Sequence, residues 1–206
     1  MRIMVVDLEM GNIRSLTAAL TYLGADHIVS DDPAEIESAT HVILPGVGAF
    51  DAAMQKIAEL SLAEGLLNFG RELAKPLLGI CLGMQLLAEG SDEGKLPGLG
   101  FIPGQFRLLK ASPDLSHKVP HVGVSAVYGY QEIGVFKNIG TRADFYFTHS
   151  FALASAGEEL NNVAYCDHDV PFVAAFQYKN LCGVQFHPEK SQSTGLRLIS
   201  NFLELS

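Results

Sequence analysis

Hydrophobic and polar residues form alternating blocks along the first half of the chain. Four short apolar runs predict buried strands, namely "RIMVVDL", "HIVS", "HVILP" and "PLLGI". Between them, apolar residues recur at helical spacing, as in Ile13, Leu16, Ala19, Leu20 and Leu23 and again in Phe50, Met54, Ile57 and Leu60. The fourth run leads into Cys81 and a helix expected to end near Ala88. This alternation predicts a mainly parallel central sheet flanked by helices.

The second half has a different pattern, in which short strand-like runs are separated by turn residues. These runs are "GFIPGQFRLL", "ADFYFTHSFAL", "NNVAYC", "PFVAAFQY" and "LCGVQF". We expect them to extend the sheet as antiparallel or mixed strands. A last helix, with Leu196, Ile199, Phe202 and Leu203 on one face, would follow. The predicted fold class is α/β, and with no linker or repeat visible, residues 1–206 are expected to form one domain.

The net charge, the apolar runs and the cysteine spacing argue against several classes of protein. A net charge of −9 disfavours a general nucleic-acid binder, which needs a basic surface to neutralise phosphates. The apolar run at the N-terminus is too short for a signal peptide, and no stretch approaches the ~20 apolar residues of a membrane helix. Cys81, Cys166 and Cys182 lack the spacing of a zinc site or a disulfide framework. We therefore expect a reduced, cytoplasmic protein.

The stretch "GICLG" places Cys81 between Gly79 and Gly83, where a predicted strand gives way to a helix. A nucleophile on a sharp strand-to-helix turn needs small residues two positions before and after it, because larger side chains would clash there. Cys81 is therefore the candidate nucleophile. Cys166 and Cys182 lie inside apolar runs and are expected in the core.

A nucleophilic cysteine needs a base, and the strongest candidate is His187 in "GVQFHPEKS". Pro188 favours an extended conformation for the residue before it, and residues two apart in an extended segment point the same way. Glu189 could then orient the imidazole of His187 and stabilise its charged form. A third element is "LPGVGAF", whose loop can turn backbone N–H groups towards a cleft and form an oxyanion hole with the N–H of Leu82.

Together these stretches resemble the class I, triad-type glutamine amidotransferases, in which a cysteine hydrolyses the side-chain amide of glutamine. Within that class, "GNIRSL", "LPGVGAF", "GICLGMQLL", "KVPHVG", "FYFTHSF" and "GVQFHPEKS" are similar to the glutaminase subunits of imidazole glycerol phosphate synthases. The similarity covers essentially the whole chain. It implies a flavodoxin-like, three-layer α/β fold.

The resemblance also implies a role for each matching residue. Cys81 would be the nucleophile, His187 the general base and then acid, and Glu189 its orienting partner. The N–H groups of Val47 and Leu82 would bind the oxyanion. The oxyanion loop, which carries Val47, would be unformed at rest and would be set when the partner subunit binds its nucleotide substrate. The substrate would be held by the remaining matched positions, which are Gly48, Gln85, Glu93, His149, Ser150 and Phe151. Glu93 would face the amino group of glutamine, and His149 would form a wall of the site and not act as a rival base.

The implied partner is a (β/α)8-barrel cyclase that forms a heterodimer with this chain. Ammonia would pass to the cyclase to make imidazole glycerol phosphate and an aminoimidazole carboxamide nucleotide for histidine synthesis. No metal or organic cofactor is implied, because the thioester chemistry of a Cys-His-Glu triad needs none.

The chain departs from the family pattern in three stretches. Val124 and Ser125 replace the usual Trp-Asn after "KVPH", "DLEMGN" replaces Asp-Tyr-Gly-x-Gly-Asn, and Phe151 stands where tyrosine is common. The first two lie beside the expected docking face, and large aromatics often anchor interfaces. A paralogous glutaminase that supplies another synthase, for example one aminating a surface-polysaccharide sugar, is therefore a second hypothesis. A third hypothesis is a hydrolase of a peptide or another small amide, against which Gln85 and "THSF" argue because both match glutamine-binding positions. A fourth is a non-catalytic scaffold subunit, against which the complete triad argues.

Overall fold

The computed structural model describes residues 1–11, 13–110, 118–155, 157, 160 and 162–206. The helices are α1 (Ile13–Tyr22), α2 (Pro33–Ser38), α3 (Phe50–Glu59), α4 (Leu62–Leu67), α5 (Leu82–Leu86) and α6 (Gln192–Leu203). The strands of the first half are β1 (Ile3–Val6), β2 (His27–Ser30), β3 (His41–Gly46), β4 (Leu77–Cys81) and β5 (Gly90–Ser91). Those of the second half are β6 (Gln105–Leu108), β7 (His121–Tyr128), β8 (Arg142–His149), β9 (Phe151–Leu153), β10 (Asn162–His168), β11 (Val170–Tyr178) and β12 (Leu181–Val184).

The main sheet has the strand order β2-β1-β3-β4-β12-β11-β10-β7-β8. The pairs from β2 to β12 are parallel, and those from β12 to β8 are antiparallel. A side branch forms where β9 pairs with β11 and with β6, which in turn pairs with β5. The predicted α/β class is confirmed, with a mixed sheet in which antiparallel strands extend the parallel half.

Helices cover both faces of the sheet. In β1, Ile3 and Val5 face the core that contains the buried residues of α1 and α6, whereas Met4 and Val6 face the core that contains those of α2 to α5. All four side chains are fully buried. A strand covered on both faces needs apolar residues at every position, which explains its continuous apolar run.

Several elements differ from the sequence prediction. The pattern missed β7, because its exposed Val122 and Val124 and the intervening Gly123 hide the alternation of a half-buried strand. It also missed α2 and α4, which have six residues each and are too short to show helical periodicity. The helix after Cys81 ends at Leu86 and not near Ala88.

The boundaries of the predicted strands also change. The run "ADFYFTHSFAL" is divided at Ser150 into β8 and β9, which pair with different neighbours. Only residues 105–108 of "GFIPGQFRLL" and 181–184 of "LCGVQF" are strands. The run "NNVAYC" begins at residue 161, which lies outside the described residues, as does residue 12 of "GNIRSL".

The parallel half of the sheet determines where the candidate residues meet. Strands β3, β4 and β12 are neighbours and run in the same direction. Their carboxyl ends therefore lie at one edge, where ligands bind in sheets of this type. β3 leads into the loop around Val47, β4 ends at Cys81, and the chain after β12 reaches His187. In the described part of the chain, none of the helices has the length and apolar character needed to cross a bilayer.

Candidate active site

Cys81 lies on a strained turn between β4 and α5, with φ 54° and ψ −110°. Non-glycine residues rarely have a positive φ, and such strain is found mainly at functional sites. A Cβ on Gly79 would lie 2.7 Å from the carbonyl oxygen of Gly83, and a Cβ on Gly83 would lie 1.7 Å from that of Leu44. Both glycines are therefore required for the backbone to make this turn.

His187 and Glu189 form a buried pair beside this turn. The distance from His187 Nδ1 to Glu189 Oε1 is 2.8 Å, and the two side chains are 4% and 6% exposed. His187 itself is extended, with φ −100° and ψ 97°, as Pro188 predicted, but residues 188–190 form a 3-10 turn, so the segment as a whole is not extended. The His187 backbone is held on both sides: its N–H donates to Tyr146 O, and its carbonyl accepts from Ser191 Oγ.

Two opposing influences determine the charge of the His187 imidazole. Burial alone would lower its pKa, but the neighbouring Cys81 and Glu189 raise the pKa to about 9. Glu189 occupies Nδ1, so the nitrogen available to Cys81 is Nε2, which is buried and has no hydrogen-bond partner among the described residues. At neutral pH, His187 therefore carries a proton that it can give to a leaving group beside the sulfur.

A cavity of about 270 Å³ opens next to Cys81. Its walls contain all eight residues that the sequence assigned to the oxyanion hole or to substrate binding, which are Val47, Gly48, Leu82, Gln85, Glu93, His149, Ser150 and Phe151. Thr148 completes the lining. His187 and Glu189 line a smaller adjoining cavity that shares Val47 with the first. The structure thus brings every candidate residue to one place.

The loop between β3 and α3 separates the two cavities. Gly48 has φ +111°, which favours glycine, and Val47 is 39% exposed. The N-terminal loop packs against it, since a Cβ on Gly48 would lie 3.0 Å from the Met10 methyl group and one on Gly11 would lie 2.8 Å from Val47 Cγ2. Met10 therefore covers the candidate oxyanion loop, and it lies in the stretch "DLEMGN", in which Leu8 and Glu9 depart from the family pattern.

His149 and Glu93 are the two titratable side chains of the cavity wall besides Cys81. Burial lowers the pKa of His149 to about 3, so its ring is neutral at physiological pH. Its Nδ1 donates to Phe151 O at 2.8 Å, and its Nε2 lies 3.1 Å from Nδ1 of His121. With both ring nitrogens engaged, His149 is poorly suited to take a proton from Cys81. Glu93 is held from the first turn of α3, because its Oε2 accepts the N–H of Phe50 at 3.0 Å.

Sequence reasoning missed Gln185, which is fully buried next to the nucleophile. Its Nε2 lies 3.7 Å from Cys81 Sγ, and its Oε1 accepts from Gln85 Nε2 at 3.3 Å. The missed signal was its position two residues before His187, which places it near the same side of the chain. Thr148 was also missed; its carbonyl oxygen lies 3.9 Å from Cys81 Sγ.

The other two cysteines are core residues. Burial raises the pKa of the Cys166 thiol to about 12 and also raises that of the fully buried Cys182 thiol. Neither therefore forms a thiolate at neutral pH. Among the described ranges, no group of three or more His, Cys, Asp or Glu side chains is arranged to hold a metal ion.

Comparison with known proteins identifies relatives over the full length. The family model for glutamine amidotransferase class-I matches residues 4–205. Imidazole glycerol phosphate synthase subunit HisH 1 of Parasynechococcus marenigrum is 38% identical over 206 residues, covering 100% of this chain and 98% of that protein. Subunit HisH 2 of Vibrio vulnificus is 42% identical over 207 residues, covering 99% and 94%.

Solved structures support the fold. A crystal structure of a glutamine amidotransferase superposes with a TM-score of 0.77 at 20% identity, covering 98% of this chain and 97% of that one. The structure of PurLQS from Thermotoga maritima gives a TM-score of 0.70 at 21% identity, covering 98% and 97%.

The His187–Glu189 pair generates a prediction about proton binding. We expect the His187 imidazole to titrate with a pKa near 9 in NMR spectra of the unchanged chain. In Glu189→Gln that pKa should fall by at least about one pH unit, because the neighbouring negative charge is removed. Glu204→Gln is the matched control, since Glu204 is 60% exposed and pairs with Lys137 instead. A pKa that stays near 9 in Glu189→Gln would contradict this account.

The same pair has a consequence for stability. Because the folded-state pKa of about 9 lies above the ordinary value of 6.5, the interaction stabilises the fold fully below about pH 6.5. This stabilisation is lost as the pH rises through about 9. The difference in free energy of unfolding between the unchanged chain and Glu189→Gln should therefore shrink from pH 6 to pH 10; a constant difference would disagree with the expected titration.

Proposed function

The chain belongs to the class I glutamine amidotransferase family, and we propose that it hydrolyses L-glutamine to L-glutamate and ammonia as the glutaminase subunit of an imidazole glycerol phosphate synthase. The main support for the proposal is that the His187–Glu189 pair and the substrate cavity both adjoin the same cysteine. The 2.8 Å contact between His187 and Glu189 lies beside Cys81, and Cys81 opens into a cavity lined by every expected substrate contact.

The first half of the reaction forms a thioester. The Cys81 thiolate, whose proton His187 has taken as general base, attacks the side-chain amide carbon of glutamine, and the negative charge that develops on the amide oxygen is stabilised by the N–H groups of Leu82 and Val47. His187 Nε2 donates its proton to the departing nitrogen, so ammonia leaves and a γ-glutamyl thioester remains on Cys81. Glu189 holds the imidazole through Nδ1 throughout this step.

The second half releases glutamate. His187, now neutral, takes a proton from a water molecule, which attacks the thioester carbonyl. The sulfur leaves as a thiolate, and the imidazolium beside Glu189 is restored. The remaining cavity residues would hold the substrate, with Glu93 at its amino group and Gln85 and the backbone of residues 149–151 along its length. Gly48 makes a change of the oxyanion loop feasible, because glycine tolerates both signs of φ.

The names of the relatives support a histidine-pathway partner, since both compared proteins are named as imidazole glycerol phosphate synthase subunits. The partner would be a (β/α)8-barrel cyclase that receives the ammonia. An apolar surface next to the active site suits this role. Val122 and Val124 project from the same face of β7 and are 58% and 67% exposed. Val124 pairs with Tyr146, whose carbonyl accepts the His187 N–H.

We expect Cys81→Ala to abolish glutamate release from glutamine, because no other group can form the thioester. Cys182→Ala is the matched control; it removes a thiol that is fully buried in the core, and glutaminase activity should remain. Glutamate production would be measured with and without partner. Glutamine turnover by Cys81→Ala above background would contradict the mechanism.

We expect glutaminase activity of the chain to be low alone and to rise strongly with a histidine-pathway cyclase and its nucleotide ligand. Val124→Asp should remove much of this stimulation while leaving the basal rate unchanged, since a charge at a docking surface opposes burial. Val29→Asp is the control, because Val29 is 43% exposed on the edge strand β2. Turnover that depends on Cys81 but does not respond to the cyclase would overturn the pathway assignment and favour a different ammonia-using synthase.

A further inference from the structure

The segment that carries Glu93 follows β5 and is held at the first turn of α3 by two carboxylates. Glu93 Oε2 accepts the backbone N–H of Phe50 at 3.0 Å. In the reverse direction, the Asp51 carboxylate accepts the N–H of Lys95 at 2.9 and 3.0 Å and the N–H of Leu96 at 3.0 Å. The first turn of α3 and the segment 93–96 each contribute one carboxylate, which accepts backbone N–H groups of the other. These bonds fix the relative position of the two segments.

The fit between Asp51 and the segment is close. A Cβ on Gly94 would lie 1.9 Å from Asp51 Oδ1, so the carboxylate fills the space that a side chain at Gly94 would need. The hydrogen bonds from the Leu96 and Lys95 backbone lower the pKa of Asp51. The carboxylate is therefore charged when it accepts these bonds, and charge-assisted bonds are stronger than neutral ones.

Asp51 supports the substrate cavity from outside. Among the described residues that line this cavity, Glu93 is present and Asp51 is not. One carboxylate oxygen of Glu93, Oε2, accepts the Phe50 N–H, so the other oxygen is available to the cavity. The direction in which that free oxygen points is determined by the backbone of residues 93–96, and Asp51 binds this backbone two and three residues beyond Glu93.

We propose that Asp51 is a positioning residue for the recognition of the substrate's α-amino group, acting through Glu93. This inference rests on the proposed function, in which Glu93 binds that group. Asp51 makes the chain select amides that carry a free α-ammonium over amides of the same length without one. Loss of Asp51 releases the segment, so the ammonium loses its carboxylate partner, while contacts to the rest of the substrate are retained.

The test compares L-glutamine with glutaramate, which has the same chain and amide but no amino group. Binding of both would be measured by calorimetry to Cys81→Ala chains, so that no turnover occurs. Adding Asp51→Ala should weaken glutamine binding by about tenfold or more, the scale of a lost charged hydrogen bond. Glutaramate binding should stay within about twofold, because it has no group for Glu93 to bind.

Two further variants separate positioning from damage to the fold. Asp51→Asn keeps Oδ1, which accepts from both Lys95 and Leu96, and should recover much of the preference for glutamine. Asp26→Ala removes an exposed acid elsewhere and should leave both affinities unchanged. If Asp51→Ala weakens both ligands equally, or neither, the positioning role is wrong. If the Cys81→Ala chain itself shows no preference for glutamine, the assignment of Glu93 in the proposed function fails, and the inference fails with it.

Discussion

The site depends on one close backbone approach, where the first turn of α5 passes over the end of β3. Gly83 lies so near the carbonyl of Leu44 that no side chain fits between them, and a side chain at Gly79 would also collide with the backbone of Gly83. This contact forces the chain to turn sharply at Cys81, which takes up a positive φ. The strain lifts the sulfur out of the strand and into the cavity. It is maintained by the surrounding packing, because β4 is buried along its whole length between β3 and β12.

The site also requires that its reacting groups meet at one edge of the sheet. The parallel arrangement of β3, β4 and β12 ensures this, because their carboxyl ends lie at the same edge. β12 is added from the far end of the chain, yet it pairs in parallel with β4 and brings His187 beside Cys81. A buried imidazole next to a buried carboxylate would be costly if either lacked a partner. Here His187 Nδ1 and Glu189 Oε1 satisfy each other, and the apolar surroundings strengthen this contact, while His187 Nε2 and Glu189 Oε2 have no hydrogen-bond partner among the described residues. The pKa of His187 is raised even though burial alone would lower it.

Sequence patterns predicted the elements in which local signals and tertiary environment agree. The doubly buried strands have continuous apolar runs, and the two glycines around Cys81 mark a turn that only small residues allow. The antiparallel edge was harder to predict, because β7 carries exposed valines where a half-buried strand would have polar residues. Exposed valines at these positions suit a surface that a partner covers, and the sequence of one chain gives no direct sign of such a surface. Contacts that join distant segments, such as Gln185 with Cys81 and Asp51 with residues 95 and 96, leave no periodic signal in the sequence.

The central claim is that glutamine is cleaved through a covalent intermediate on the cysteine of the strained turn. The most direct test is to mix the chain with glutamine, stop the reaction rapidly with acid, and identify modified peptides by mass spectrometry. We expect a γ-glutamyl group on the peptide that contains Cys81, and none on the peptides of Cys166 and Cys182. Glutamate release with no γ-glutamyl group on Cys81 at any reaction time, or with the group on another residue, would contradict it.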